Sequence, residues 1–337
     1  MLKIGIAGFG KMGKIRAETI RKNPNTILAA VYEQGALDES AVGNEVTICH
    51  SFEHLMEQDL DAIFVCAFNN VAAHYTASAL EKGLHVFCEK PPAKDTKQLE
   101  DVMNVEASAN RILKYGFNHR LHYSVMQAKS LIESGEMGKL LWIRGVYGKA
   151  GSIDYHDNWR NYKNYSAGGI LMDQGIHMLD LMHHFTGYDF EVMSSQLTTS
   201  YWDVEVEDNA FVTLKSGDVI ATLHSSATQW RHKFLMEMCF EHGFVNLDGI
   251  LSDSRSYAPE TLVVSKREFE DVTFAMGKPA ESTTWFENDD SWKFELEEFV
   301  QAIKHKQQIT HGTSFDAHKV LDLVERIYLL SGFYDER

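Results

Sequence analysis

Three side chains in this sequence have the type and setting to handle the proton of a hydroxyl group. Lys90 follows a short apolar run, Leu84-His85-Val86-Phe87-Cys88, and Glu89, and it precedes Pro91-Pro92. The run reads as a buried strand, with Gly83 closing the helical pattern ahead of it. A proline excludes the α region for the residue before it, so Lys90 occupies an extended corner at the strand's carboxyl end. In open α/β sheets that edge is where ligands bind. Taken alone, the corner reads as a surface turn with a solvated lysine, and the rest of the chain decides otherwise. The other two side chains are Asp173 and His177, four apart and on one face if the segment is helical, with Asp180 a turn further on. A carboxylate beside a histidine holds its tautomer and raises its basicity, as a general base for an alcohol requires. Taken alone, this too reads as a core histidine paired with an acid. Gly175 inside the helix costs about 1 kcal/mol relative to alanine, and close approach of a ligand is a physical reason to keep it. No metal is expected. His183 and His184 are adjacent and point different ways around the helix, and no glutamate or cysteine completes a coordination set with Asp173, His177 and Asp180.

These residues need elements to hold them. Leu2 to Ala7 reads as a strand running into Gly8-Phe9-Gly10-Lys11-Met12-Gly13, which opens a helix reaching about Lys22 and stopped by Asn23-Pro24. A second strand, Ile27 to Tyr32, ends at Glu33. Strand, G-x-G-x-x-G, helix and a following acid form a dinucleotide fingerprint: glycines let the backbone approach a pyrophosphate, and the acid meets ribose hydroxyls. Glu33 would repel a 2′-phosphate, and Gln34-Gly35 offer no arginine, so NAD is expected over NADP. Helix and strand patterns then alternate: helix from Ser51 to Gln58, strand 61–67, helix 72–82, strand 84–88, helix 95–109, strand 112–116. Such repeats predict an α/β, doubly wound parallel sheet. Phe68-Asn69, after the third of these strands, would border the cofactor.

Beyond Asn118-His119-Arg120 the pattern changes. A helix over about 122–134 precedes an alternating strand, Leu140 to Tyr147. Ser216-Gly217-Asp218 and His242-Gly243 each sit between two strand-like runs and predict antiparallel hairpins. Helices over about 292–304 and 315–331 end the chain. The reading is a Rossmann domain, 1–119, followed by an α+β domain, 120–337, with a largely antiparallel sheet.

Composition narrows the partners. The 337 residues carry Lys+Arg 32 against Asp+Glu 48, a net charge of −16, and no basic run. No nucleic-acid or membrane partner is expected, and no apolar run approaches a membrane span. The start is too short for a signal-peptide core. Cys49, Cys66, Cys88 and Cys239 are scattered without a CxxC, which fits free thiols in a reducing cytoplasm.

With these blocks in order, the chain resembles the glucose–fructose oxidoreductase / inositol dehydrogenase / MocA (Gfo/Idh/MocA) family. The resemblance rests on the glycine fingerprint, Glu89-Lys90-Pro91, Gly116-Phe117-Asn118-His119-Arg120, Trp159-Arg160, Gly168-Gly169 through Asp180, and Phe315-Asp316-Ala317. It implies a Rossmann domain joined to an open-faced sheet domain that pairs as a homodimer or homotetramer. It also implies NAD(P)-linked oxidation or reduction at a hydroxyl carbon of a sugar, cyclitol or nucleotide sugar. Lys90 would lie beside nicotinamide and substrate, opposite Asp173 and His177. The candidate cofactor residues are Gly8, Phe9, Gly10, Lys11, Met12, Glu33, Ala67, Phe68, Asn69, Glu89, Lys90 and Asn118. The candidate substrate residues are Lys90, Arg120, Trp159, Arg160, Asp173 and His177, with Lys90, Asp173 and His177 catalytic. Where the family often has Thr-Pro-Asn and a histidine three residues on, this chain has Ala67-Phe68-Asn69 and Ala72, with His74 two positions later. The Asp173 segment and the double proline resemble members of surface-polysaccharide sugar pathways. Two rival readings share the fold: a glycoside hydrolase that uses NAD for transient oxidation, and a nucleotide-binding sensor or scaffold without turnover.

Overall fold

The computed structural model describes residues 1–151, 155–268 and 279–334. Contacts divide the chain into two units, one of residues 1–118, 164–167 and 292–322, the other of 119–163, 168–291 and 323 onward.

The first unit is built on six parallel strands: β1 (Leu2–Ala7), β2 (Thr26–Tyr32), β3 (Thr47–Cys49), β4 (Ala62–Val65), β5 (His85–Glu89) and β6 (Leu113–Gly116). Their spatial order is β3-β2-β1-β4-β5-β6, so the winding reverses between β1 and β4, and the fold is the expected doubly wound α/β sheet. That reversal point is where such sheets bind ligands. Helices α1 (Lys11–Lys22), α2 (Phe52–Met56), α3 (Asn69–Glu81) and α4 (Thr96–Ala109) link the strands. Ser51 caps α2 by accepting from the His54 N–H, and Asp95 caps α4 through Gln98, the side-chain oxygens satisfying N–H groups that a helix start leaves open. The short β3 lay outside the sequence reading. The central strands β1, β4 and β5 are largely buried on both faces and therefore mostly apolar. Phe64 and Phe87 stack at 4.6 Å, and Phe299 meets both edge-on. Phe299 belongs to the helix Ser291–His305, which also gives Leu296 and Val300 to this core.

The second unit is an eight-stranded sheet of β7 (Leu140–Gly148), β8 (Glu191–Thr198), β9 (Asn209–Ser216), β10 (Val219–Ser226), β11 (Lys233–Phe240), β12 (Gly243–Asp248), β13 (Glu260–Lys266) and β14 (Glu281–Phe286). The order is β14-β13-β12-β11-β7-β10-β9-β8. Every pair is antiparallel except β7 and β10, which run parallel in the middle. The turns at Ser216-Gly217-Asp218 and His242-Gly243 close the two expected hairpins. Helices α5 (Tyr123–Glu133) and α6 (Ile176–Thr186) belong to this unit. Gly145 on β7 admits α6 closely, since a Cβ there would lie 3.0 Å from the methyls of Met178 and Met182. The opposite face of the sheet leaves Trp142, Phe211 and Ile220 exposed, with Trp142 and Ile220 cross-strand partners. Among the described residues no helix is long and apolar enough to cross a membrane.

Candidate active site and cofactor loop

Two of the fingerprint glycines have separate steric reasons to be glycine, and the third keeps the loop open. Gly8 leaves β1 at φ +94, and a Cβ there would lie 2.5 Å from the Cys66 carbonyl oxygen. At Gly13 a Cβ would sit 2.1 Å from the Gly8 carbonyl oxygen, so helix and loop could not pack. At Gly10 a Cβ would meet no heavy atom within 4 Å, which leaves the backbone open to a large ligand. Gly10 also begins α1, whose first turn has no side-chain cap and no acid, so its N–H groups and helix dipole suit an anion. Glu33 reaches back to this loop, accepting from the Phe9 N–H (2.5 Å) and the Gly35 N–H (2.9 Å). The Phe9 ring is buried in the core, so only its backbone lines the loop. A glycine cradle, an open helix start and a tethered acid together fit a dinucleotide.

The other candidates of the first unit lie at the ends of β4, β5 and β6. Phe68 occupies the cap position of α3, its ring centroid 5.5 Å from Tyr165. Buried Asn69 donates to the Ser166 carbonyl at 2.6 Å. Glu89 turns inward, where it accepts from Arg16 Nε at 2.6 Å; Arg16 Nη2 donates to Glu295 at the same distance. Burial opposes the Arg16 charge, and the two carboxylates hold the group protonated. Lys90 is half-buried at the β5 end, between buried Glu89 and buried Pro91, and its bond to Pro91 is cis. Ala67 and Asn118 lie beyond the ends of β4 and β6, and Lys11 and Met12 are the first residues of α1, none of them fully buried.

In the second unit the catalytic candidates lie on a distorted helix. Leu171–Gly175 is a π turn that leads into α6, where the sequence pattern predicts a continuous α-helix. Such turns recur at functional sites. Its start is tied down by Glu207, whose carboxylate accepts from the Gly169 and Leu171 N–H groups at 3.0 Å and from the Tyr328 and Tyr334 hydroxyls at 2.8 and 2.9 Å. Asp173 accepts from Arg160 Nε at 3.1 Å and lies 3.7 Å from Lys149 Nζ. Arg160 in turn covers the Trp159 ring at 4.5 Å. Trp159, Arg160 and Asp173 thus come together as one group. The buried His177 ring stacks on His119 at 3.8 Å, and His119 Nε2 is 2.9 Å from the Tyr147 hydroxyl.

Arg120 has a different place from the one its sequence suggests. Its fork closes on Asp180 at 2.9 and 2.6 Å, with Arg120 only 3 % exposed. This bidentate pair ties α6 to the turn after β6, where a substrate contact was expected.

Sequence reasoning missed His119, Tyr147, Lys149, Tyr155 and Tyr257, which lie around Asp173 and His177, and His232, whose ring is 4.7 Å from Tyr257. The available signal was position, because Tyr147 and Lys149 stand at the exit of β7. Burial first, and then the Asp173 charge, pushes the Tyr155 and Tyr257 phenols well up; burial, Tyr257 and Asp173 do the same for Tyr147. These phenols therefore stay protonated and can donate to a bound oxygen. Burial and the Lys149 charge lower the His232 pKa, favouring the neutral ring.

Comparison with known proteins agrees with this picture. Residues 2–117 match the oxidoreductase family with an NAD-binding Rossmann fold, and residues 125–246 match the GFO/IDH/MocA C-terminal domain. The D-glucoside 3-dehydrogenase of Escherichia coli K12 is 26% identical over 261 residues, 71% of this chain and 74% of that protein. The inositol 2-dehydrogenase of Salmonella typhimurium LT2 is 25% identical, covering 80% of this chain and 82% of its own. Levoglucosan dehydrogenase in complex with NADH and L-sorbose shares the fold at TM-score 0.84 and 18% identity, over 98% of this chain and 96% of the other. The chain belongs to the Gfo/Idh/MocA family of NAD(P)-dependent oxidoreductases, and its first unit is the family's NAD-binding Rossmann domain.

Proposed function

We propose that this enzyme transfers a hydride between NAD and a secondary hydroxyl carbon of a sugar, cyclitol or nucleotide sugar, with Lys90, Asp173 and His177 at the reacting oxygen. The observation that carries this reading is the cluster at the π turn: a carboxylate flanked by Arg160 and Lys149, and a histidine stacked on His119. Curated relatives that act on a glucoside and on inositol support the substrate class. When bound, nicotinamide supplies the hydride acceptor or donor. His177 takes the hydroxyl proton as the ketone forms and returns it in reduction. Stacking on His119, which is itself held by the Tyr147 hydroxyl, fixes the plane of the imidazole. Asp173 sets the local field, while Arg160 and Lys149 hold it in place. Lys90 donates to the same substrate oxygen and stabilises developing negative charge. Trp159 offers a ring to a sugar face. Glu33 favours NAD over NADP. We place the reaction in the cytoplasm, in keeping with four free thiols, and in surface-polysaccharide sugar metabolism.

The test is a screen of free, phosphorylated and nucleotide-linked sugars, following nicotinamide absorbance, with the best substrate then given to Lys90→Arg and His177→Ala. We expect turnover to fall at least a hundredfold in each, within the range of losses when a general acid–base or charge-stabilising group is removed. Near wild-type turnover in Lys90→Arg, or unchanged hydride transfer across neutral pH in His177→Ala, overturns the assigned role. Sugar release without net absorbance change would instead identify a hydrolase working by transient oxidation.

A further inference from the structure

Two adjacent acids at the entry to β9 tie two loops of the second unit to one strand. Glu207 holds the backbone that leads into Asp173. Its neighbour Asp208, fully buried, accepts from the backbone N–H groups of Ser200, Tyr201 and Trp202 at 2.8, 2.8 and 3.1 Å. Trp202 donates its indole N–H to the Ala227 carbonyl at 2.9 Å and packs with Tyr155, Ile170 and Ala227. Tyr201 and Trp230 stand on this frame, 4.7 Å apart and nearly perpendicular, each also edge-on to Trp202. They are 64 % and 58 % exposed.

The frame fixes the loop carrying Tyr201 and Trp202 by hydrogen bonds from its backbone N–H groups to a buried carboxylate, so Tyr201 is held out in water by construction. Exposed aromatic clusters of this kind mark ligand or partner sites. Three rings offer little area beside the roughly 800 Å² per partner of a stable protein interface, whereas they match one ring of a ligand. The patch is also continuous with the catalytic cluster. The Trp202 and Tyr155 ring centroids are 4.3 Å apart, Lys149 Nζ lies 6.0 Å from the Tyr155 ring, and the same ammonium is 3.7 Å from Asp173.

We propose that Tyr201, Trp202 and Trp230 form a subsite for a second ring of the substrate. That ring, a pyranose, an aryl group or a nucleobase, is joined through the anomeric oxygen to the ring whose hydroxyl reacts. The shared chemistry is a flat face, of C–H bonds or of π electrons, resting on indole and phenol. The inference rests on the reading of Asp173 and His177 above, and it names the size of the substrate.

The test is a titration of the full chain with NAD present, read by calorimetry, using glucose, cellobiose, phenyl β-glucoside and UDP-glucose. At least one two-ring probe binds ten times or more tighter than glucose, and Trp230→Ala removes that preference with NAD affinity retained. Which probe gains identifies the ring. Trp230→Phe keeps part of the preference, which separates stacking from misfolding, and Phe315→Ala, a similarly exposed ring in the first unit, keeps all of it. The proposal is overturned if no two-ring probe outbinds glucose, or if the preference survives both Trp230→Ala and Tyr201→Ala. It is also overturned if Trp230→Ala halves the mass seen by light scattering, because a second copy then covers the patch. Binding is read directly, so failure of the hydride-transfer roles of Lys90 or His177 would leave this result distinct.

Discussion

Glu207 and Gly169 are locked to each other from both sides. The Gly169 N–H is shared by the two Glu207 carboxylate oxygens at 3.0 Å, and a Cβ on Gly169 would lie 2.1 Å from the Glu207 carbonyl oxygen. Burial raises the Glu207 pKa against four hydrogen bonds that favour the anion. Replacing Glu207 by alanine orphans the Gly169 and Leu171 N–H groups and two tyrosine hydroxyls, at about 1–3 kcal/mol for each donor left buried. We expect Glu207→Ala to lower the melting temperature by several degrees and turnover by more than tenfold. Glu207→Gln, which keeps the shape and an acceptor, should recover part of both. Wild-type turnover and melting temperature in Glu207→Ala would show that the carboxylate does not position the π turn.

A second prediction concerns Arg16. This guanidinium is 1 % exposed, lies 4.4 Å from the Phe87 ring, and joins Glu89 to Glu295. Removing one member of a buried ion network leaves uncompensated charge, at about 3–5 kcal/mol. Arg16→Met should reduce the unfolding free energy by that amount in urea, read at several salt concentrations. A loss below about 1 kcal/mol would mean that water replaces the arginine.

Cofactor choice follows from Glu33. Its carboxylate is tethered to the glycine loop by the Phe9 N–H and to its own turn by the Gly35 N–H, so it cannot swing away from a 2′-phosphate at little cost. We expect kcat/KM for NAD to exceed that for NADP by at least about tenfold, since each 1.4 kcal/mol of repulsion is a factor of ten. Glu33→Ser should narrow the ratio from the NADP side. A ratio unmoved by Glu33→Ser would assign the preference elsewhere.

The pH dependence of stability has a specific contributor in His85. Burial, with the Arg111 charge adding to it, lowers its pKa from 6.5 to about 4, and Nδ1 accepts the Ile112 N–H at 2.9 Å. The folded value lies below the unfolded one, so as pH falls the unfolded chain binds the proton first. Stability from this group is therefore complete above pH 6.5 and is lost as pH falls toward about 4. In His85→Gln, the decline in melting temperature over that window should be shallower than in wild type, with no change of slope above pH 7. Parallel curves would remove His85 from the account.

The bare face of the larger sheet supplies the last prediction. Trp142, Phe211 and Ile220 are exposed there on neighbouring strands, more apolar surface than a sheet facing water normally keeps. We expect the enzyme to pair through this face, and Ile220→Lys to shift it toward monomer in light scattering. A monomeric wild type would leave the face without this role.

Much of the fold was legible because its signals are local. The glycine fingerprint, the caps Ser51 and Asp95, and the turns at Gly217 and Gly243 each act within a few residues. Lys90, Asp173 and His177 were proposed from the same kind of local signal, strand end and helical spacing. What escaped depends on long separations. The π turn is held by Glu207, 36 to 38 residues away, and Arg120 meets Asp180 across 60. The helix Ser291–His305 returns to fill the first core at Phe299. No periodicity within a window carries such information.

The parallel pairing of β7 with β10 has a consequence for how this enzyme can change. Strands that run the same way exit side by side, and here the Lys149 N–H donates to the Ser226 carbonyl just past both ends. Lys149 and the Ala227–Trp230 turn therefore share one rim, along with the segments they touch. Residues on that rim can be exchanged or lengthened while the strands beneath keep their register. The sheet serves as a chassis, and a new substrate can be met by refitting one edge of it.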